Sequence, residues 1–588
     1  MIKILWFILL ILTAMIVVNC AHPVTPSGGP KDVTPPIIIE TIPENGSANF
    51  ATKKFSIKFN EYVSLDNIQE QALISPPMNE MPEFTVKGKS ILVKFKEELK
   101  PNTTYSVYFG DAIVDITENN PVTNYTYIFS TGNFVDSLSL SGYVYNALDL
   151  KPVDGTFVML YKDINDTIKF DSLPYYVVPY YLSKTNDIGR FQFNGLANDD
   201  YLLFAINDQN SNYIFDQPGE QIAFLDSLIV PIYIEKPKID SINTDSISNI
   251  LMIKDSIIVE TDSLFLDSIQ YDDTGSVNLF MFLSPDTIQR LLKAEVIANN
   301  TICFSFSQPA TNVEFESLKY SPDSILFVVD FSKKKDTLYW YLNNPPIDSL
   351  ELLVTQFNDT LGTVYLKLDI DKKSIRVRKN EKEKKKEKLI WSSNTSGNKL
   401  DLNKHLEIQF SQPYVRFNDV DSSILVIGND SIWDPEFSFI DSLQMKILFP
   451  YDLQEETKYR VYFPDSSFSS WNNIHTEIID INFSTLSLAD YGIFTINFFP
   501  ENKQNHLLQL LTEEEAIVKE FNFNADTSLT ISYLKPAKYK LKIIFDNNNN
   551  HRWDVGNYGS RKQPEEVSYF TKEINIRANW EIEETWEF

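Results

Sequence analysis

Two short segments carry side-chain oxygens at a spacing that could hold a hard cation. Asp208-Gln-Asn210-Ser-Asn212-Tyr-Ile-Phe-Asp216 and Asp546-Asn-Asn548-Asn-Asn550-His-Arg-Trp-Asp554 share Asp, Asn, Asn and Asp at loop positions 1, 3, 5 and 9. A main-chain carbonyl is available at position 7. Acidic loops of this spacing wrap Ca2+ in oxygen ligands. Asp208, Asn210, Asn212, Asp216, Asp546, Asn548, Asn550 and Asp554 are therefore the candidate metal ligands. Glu220 and Glu566, each in a Gln-Pro-x-Glu segment downstream, could add a carboxylate. Position 6 holds Tyr213 and His551, where such calcium loops have glycine for a sharp turn, and each loop offers only two aspartates, so any affinity is modest. The competing reading is a metal-free turn, in which Asn tolerates left-handed backbone and bonds its own chain.

Other chemistries find little support. The five histidines, at 22, 405, 475, 506 and 551, are scattered and form neither HxH nor HExxH, so zinc lacks its usual ligands. No G-x-S-x-G elbow, P-loop or dinucleotide glycine fingerprint is present. A glycosidase needs only two carboxylates, and 80 acidic residues leave that class open; the expectation is nonetheless a protein that is not an enzyme. Tyr175-Tyr176, Tyr180-Tyr181 and Tyr339-Trp340-Tyr341 could stack on sugar rings, with burial in a core as the plainer alternative; alternating Trp580, Trp586 and Phe588 read as closing a core. A net charge of −28 opposes nucleic-acid binding, which needs clustered cations.

The elements that must position these residues are strands. Phe55-Ser-Ile57-Lys-Phe59, Ile91-Leu-Val93-Lys-Phe95, Tyr105-Ser-Val107-Tyr-Phe109 and Leu406-Glu-Ile408-Gln-Phe410 alternate at period two, with one face for a core and one for water. Only 287–298 (TIQRLLKAEVIA) reads as a helix. The fold class expected is all-β, built of tandem sandwiches. Cys303, in the apolar run Ile302-Cys303-Phe304, reads as a small buried hydrophobe.

Internal repeats set the boundaries. Residues 35–131 and 389–486 form one pair: Leu99 to Tyr105-Ser-Val-Tyr-Phe109 corresponds to Leu453 to Tyr459-Arg-Val-Tyr-Phe463, and both copies close on Phe-Ser-Thr, at 129–131 and 483–485. Residues 138–230 and 490–588 form a second pair, in which Leu196 to Tyr201-Leu-Leu203 matches Leu534 to Tyr539-Lys-Leu541. Between the pairs lie a linker at 231–275, a further sandwich at 276–371 and a charged Lys/Glu linker at 372–388. Asp-Ser/Thr-aliphatic tripeptides recur, densely at 226–269. They resemble periplasmic O-glycosylation acceptors of the Bacteroidota, and equally read as turns that lead into strands.

The first pair resembles the bacterial Ig-like domain of the S-layer-protein type, in the order of its "L-x-x-x-T-x-Y-x-V" and final "F-[ST]-T" segments. Ser141-Gly142-Tyr-Val144 with Gly155-Thr-Phe-Val158 resembles the opening of transthyretin-like and carboxypeptidase-regulatory sandwiches. The N-terminus is similar to a lipoprotein signal. Lys3 precedes an apolar run at 4–18, about 22 Å as a helix and short of the ~30 Å hydrocarbon core, and Val17-Val18-Asn19-Cys20 resembles a lipobox. This implies a signal peptide at 1–19, lipidation at Cys20 and a Pro/Gly-rich tether at 20–34; an uncleaved anchor is the alternative, and both tether the chain to a membrane. Ala21 in place of Asp, with no acidic cluster after it, points to the outer membrane and its periplasmic face. With Pro26 to Asp32 included, the order resembles Ig-like-domain lipoproteins of the Bacteroidota. The resemblance implies a cell-envelope lipoprotein acting as a non-enzymatic scaffold or binding protein, with envelope proteins or glycans as partners; the alternative is a surface adhesin or glycan-binding component of a nutrient-uptake system.

Overall fold

The structure is a computed structural model that describes residues 31–162, 172–233, 276–285, 288–298, 300–319, 326–343, 349–357, 359–368, 388–418, 422–501 and 503–588. The signal peptide, Cys20, the tether up to residue 30, most of the 231–275 linker and the charged run up to residue 387 lie outside the described residues. The chain divides into two compact units, 1–146 with 151–281 and 147–150 with 282–588. The architecture is tandem β-sandwiches. Ile68–Gln71 and Leu173–Tyr176 are its α-helices among the described residues, and no described helix is long and apolar enough to cross a membrane.

In the first unit, one sheet of the N-terminal sandwich runs Ile38–Ile42, Lys54–Phe59, Ser90–Lys94, Glu83–Lys87 in spatial order, and its partner runs Leu73–Ser75, Thr104–Tyr108, Thr126–Ser130. Lys54–Phe59 shows why the segment is a strand: Phe55, Ile57 and Phe59 are buried while Lys54 and Lys58 face water. The inward rows meet in an aromatic core, where Phe55 stacks on Tyr127 at 3.9 Å and Tyr105 on Phe129 at 5.4 Å.

The repeated motifs have a structural purpose. The Tyr105 hydroxyl accepts from the Lys100 N–H (2.8 Å), and the Tyr459 hydroxyl from the Gln454 N–H (2.6 Å), so each tyrosine pins the loop that leads into its strand. The threonine that ends each Phe-Ser-Thr closes the same loop: Thr131 Oγ1 accepts from the Thr103 N–H, and Thr485 Oγ1 from the Thr457 N–H. The second sandwich type uses the same device in the other direction. Tyr201 and Tyr539 donate their hydroxyls to the carbonyls of Ala197 (3.1 Å) and Lys535 (2.8 Å).

The two copies of that second type share a topology. Leu138–Asn146 pairs antiparallel with Arg190–Leu196 and parallel with Val277–Leu283; Gly492–Phe499 pairs antiparallel with Thr527–Leu534 and parallel with Glu581–Glu587. The strand at 277–283, assigned from sequence to a separate sandwich at 276–371, thus pairs with the sandwich that begins at 138. The residues from 234 to 275 interrupt that sandwich rather than follow it. The remaining sandwich is built from Leu291–Ala298, Thr301–Phe306, Thr337–Leu342 and Phe327–Phe331 against Val313–Ser317, Ser349–Gln356 and Asp359–Lys367.

Two expectations are corrected here. The stretch read as a helix holds the strand Leu291–Ala298, paired with Thr301–Phe306 in a hairpin whose turn residue Asn300 sits at φ 58°. Leu291, Ala294 and Val296 pack on the core, so sheet pairing overrides the helical propensity of Leu, Lys, Ala and Glu. Cys303 lies on the opposite side of its strand from buried Ile302 and Phe304, between Glu295 and Tyr339 on the neighbouring strands, and is only half-buried. Burial pushes its thiol above the ordinary value, which disfavours the reactive thiolate.

Neighbouring sandwiches within each unit are joined by named groups. Ser75 Oγ donates to the Leu182 carbonyl (2.8 Å) and accepts from the Leu182 N–H (2.6 Å), standing in for a sheet partner. In the second unit Gln412 donates to Thr301 Oγ1 and Asn472 to the Leu342 carbonyl, while Asp401 takes Lys535 at 2.9 Å and the Tyr491 hydroxyl at 3.3 Å.

Candidate functional site

The two Asn/Asp loops follow equivalent strands, Tyr201–Ile206 and Ala537–Phe545. Their backbones agree closely. Ser211 and Tyr213 sit at φ 58° and 61°, and their counterparts Asn549 and His551 at 58° and 60°. Tyr213 and His551 therefore take up the left-handed turn for which glycine would be the usual residue, at a strain cost of about 1–2 kcal/mol each.

What holds the loops is hydrogen bonding. Asp208 is buried and accepts from the N–H groups of Asn210, Ser211 and Tyr213, the last at 2.7 Å. Asp546, likewise buried, accepts from those of Asn550 and His551. The carboxylate at position 9 gathers the amides of positions 3 and 5: Asn210 and Asn212 donate to Asp216 at 3.1 and 2.9 Å, and Asn548 and Asn550 donate to Asp554. Positions 3, 5 and 9 thus converge in both copies, and position 1 is engaged with the loop backbone. Among the described residues no three or more His, Cys, Asp or Glu side chains are grouped to share a metal.

The carboxylate expected downstream is Glu220 in the first copy but not Glu566 in the second. Glu220 is buried and accepts from the N–H groups of Gln209, Asp216 and Gln217, bracing the loop at both ends. In the second copy Glu565 makes the equivalent bonds, from Asn547 and Asp554, both at 2.9 Å, and Glu566 is exposed. The alternation of the strand that follows decides which side chain turns inward. Burial, aided by the neighbouring charges of Asp554 and Asp546, pushes Glu565 above the usual carboxylate range despite its two main-chain bonds.

The copies differ in charge. Asp554 has Lys562 at 3.3 Å and Arg552 at 3.4 Å. Burial works against its charge, but bonds from Asn550, Asn548 and Lys562 outweigh it and lower its pKa. Among the described residues Asp216 receives only the neutral amides of Asn210, Asn212 and Gln217. The second loop carries its own cations and the first does not.

The aromatic candidates part ways. Tyr181, Trp340, Tyr341 and Trp586 are buried, Tyr175 packs on Phe215, and Tyr176 and Trp580 are exposed, the latter beneath Arg577. Tyr180 lines a cavity of about 540 Å3 between the first two sandwiches, together with Pro77, Met78, Glu97, Asn212 and Tyr213. Lys162 caps the Tyr180 ring at 4.4 Å. Sequence reasoning missed this cavity because its walls come from five separated segments.

His506 is the one described histidine in a core. It is 1% exposed among Phe523, Phe545 and Phe588, with no hydrogen-bond partner at Nδ1. Burial pushes its imidazole below the ordinary 6.5, outweighing the carbonyls of Phe523 and Gln504. The unfolded chain therefore binds a proton that the folded one resists. Stability of the C-terminal sandwich is full above about pH 6.5 and falls below it, by up to about 1.4 kcal/mol per pH unit. His506→Phe should flatten that dependence, read by hydrogen exchange of 506–512 across the pH range; an unchanged slope refutes the assignment.

Residues 32–131 match the family described as a bacterial Ig-like domain. No curated protein matches the chain at significant similarity. Among solved structures, the S-layer protein SbsC aligns at 11% identity over 90% of this chain, with TM-score 0.13; the alignment spans 66% of that protein, less than two thirds of its length. A Bacteroides ovatus mixed-linkage glucan utilization locus protein, SGBP-B, solved with a mixed-linkage heptasaccharide, aligns at 9% identity over 75% of this chain and 91% of its own, with TM-score 0.18. The Bacillus anthracis TIE protein aligns at 10% over 96% and 76%, with TM-score 0.13. At such values no likeness carries a conclusion about activity.

Proposed function

We propose that this protein is a lipid-anchored scaffold of the cell envelope that binds partners and catalyses no reaction of its own. The observation that carries the reading is the duplicated pair of sandwiches, which we read as an Ig-like unit followed by a transthyretin-like unit, each pair joined through specific groups, the Ser75 hydroxyl on the Leu182 backbone and Asp401 with Lys535. Within each unit, the locked sandwiches hold their own surfaces at fixed spacing. The apolar N-terminal run ending at Cys20 supports an anchor in the outer membrane. Cys20→Ser is expected to release the protein from the membrane in a high-salt wash and to abolish acyl labelling; retention through that wash with no label would establish an uncleaved span instead. Protease treatment of intact cells then separates the periplasmic face from the surface.

Calcium belongs to this reading as a ligand of the first loop, where Asn210, Asn212 and Asp216 converge, while Asp208 and Glu220 keep their bonds to the loop backbone. Among the described residues no cation pairs with Asp216, and the Asn210 and Asn212 amides that meet it can turn their oxygens inward. In the second loop Lys562 and Arg552 already supply positive charge. Calcium is expected to protect 208–216 from hydrogen exchange in the full mature chain and to leave 546–554 unchanged, with Asp216→Ala abolishing the effect. No protection at millimolar calcium would reduce both loops to turns.

The cavity beside Tyr180 favours a second reading, capture of a glycan at the cell surface. The wall carries two glutamates, Glu97 and Glu98, against two lysines, Lys100 and Lys162, so its charges balance and a neutral ligand fits best. Loss of oligosaccharide binding in Tyr180→Ala would support it.

A further inference from the structure

The sheet that opens the N-terminal sandwich turns one face to the core and the other to solvent, and its register fixes the outward rows. Lys54 stands opposite Lys94, which in turn faces Glu83; Lys58 stands between Glu40 and Ser90, with Lys87 beyond Ser90. All four lysines are exposed. Like charges directly opposite each other on a sheet cost stability, so the Lys54–Lys94 pair is not explained by folding. The face also runs against the molecule: four lysines against two glutamates, in a chain of net charge −28. Ile39, at a bulge in the edge strand, and Ile42 border it at 59% and 60% exposure.

Basic side chains beside exposed apolar ones suit a layer of anionic headgroups. The acidic body is repelled by such a layer, so this face is the one that can approach it. The edge strand Ile38–Ile42 begins 18 residues after Cys20, within about 60 Å of extended chain.

We propose that this lysine face docks the first sandwich on an anionic lipid surface. The proposal takes its bilayer from the anchored reading, but the contact itself does not depend on acylation. The test uses the full mature chain with Cys20→Ser, floated with vesicles of phosphatidylcholine alone or mixed with phosphatidylglycerol. Binding is expected only to the anionic vesicles and should weaken as salt rises. Each lysine is worth about fivefold in partition, so Lys54→Gln with Lys94→Gln should lower it about 25-fold. That variant should melt no lower than the parent, since it removes a repulsion, and Lys503→Gln should bind as the parent does. Equal binding to both vesicle types, an unaffected double variant, or binding to polygalacturonate but not to vesicles would each overturn the proposal. Membrane release of Cys20→Ser in cells tests the anchor separately.

Discussion

Glu565→Ala is expected to destabilise the C-terminal sandwich by about 3 kcal/mol, while Glu566→Ala changes it by less than about 0.5 kcal/mol. The two residues are neighbours with the same chemistry, so the contrast isolates position. Glu565 is buried, and its two carboxylate oxygens take the N–H groups of Asn547 and Asp554. Each is a charge-assisted bond worth about 1.5 kcal/mol, and alanine leaves both donors without a partner. Glu565→Gln keeps one acceptor oxygen and should lie between. Chemical unfolding of the full mature chain, with hydrogen exchange at 546–554 to localise the loss, reads the result. If Glu566→Ala proves the more damaging, the register assigned to this segment is wrong.

Gly142→Ala should cost about 3 kcal/mol in the first unit, although it adds a single methyl group. A Cβ at Gly142 would lie 2.0 Å from the Val277 carbonyl and 2.8 Å from the Phe191 ring. Main-chain oxygen cannot yield as a flexible side chain can, so the clash is relieved by separating Leu138–Asn146 from Val277–Leu283, at the upper end of overpacking costs. Gly46→Ala is the comparison: it is strained by φ 85° but meets nothing within 4 Å, and should cost only about 1 kcal/mol. Rapid exchange of the 277–283 amides in Gly142→Ala, with 54–59 still protected, would confirm the mechanism. Uniform loss across the unit would refute it.

Much of the architecture was legible because it is written locally. Period-two alternation marked Lys54–Phe59 and Glu407–Phe410 as strands. The recurring tyrosines and Phe-Ser-Thr segments mark the repeats because each makes a specific bond at the same spacing in both copies, five residues for the tyrosines and 28 for the threonines. What could not be read depends on distant partners. Nothing in Val277–Leu283 shows that it pairs with a strand more than a hundred residues earlier. Leu291–Ala298 has the composition of a helix and becomes a strand through its hairpin mate. Glu566 keeps the Gln-Pro-x-Glu spacing of Glu220, but the alternation into Val567–Tyr569 turns it outward, and the loop's N–H groups take Glu565 instead. For the loops, sequence identified the residues that converge at positions 3, 5 and 9; it could not show Lys562 beside Asp554, which separates the two copies.

The parallel pairing of Leu138–Asn146 with Val277–Leu283 also has a consequence in time. The N-terminal sandwich has all its strands once residue 130 has emerged, but the next one lacks its closing strand until residue 283 arrives. Ile232 bridges Ser139 in the meantime, but Gly142–Asn146 wait for Val277–Met281, and an open edge recruits other strands. Chains emerging in single file thus pass through a stage at which one sandwich is finished and its neighbour is sticky. Closing the gap requires a contact of high sequence separation, which is slow to form. Production of this protein is therefore most vulnerable to aggregation between those two points of synthesis, and a holding chaperone would have its target there.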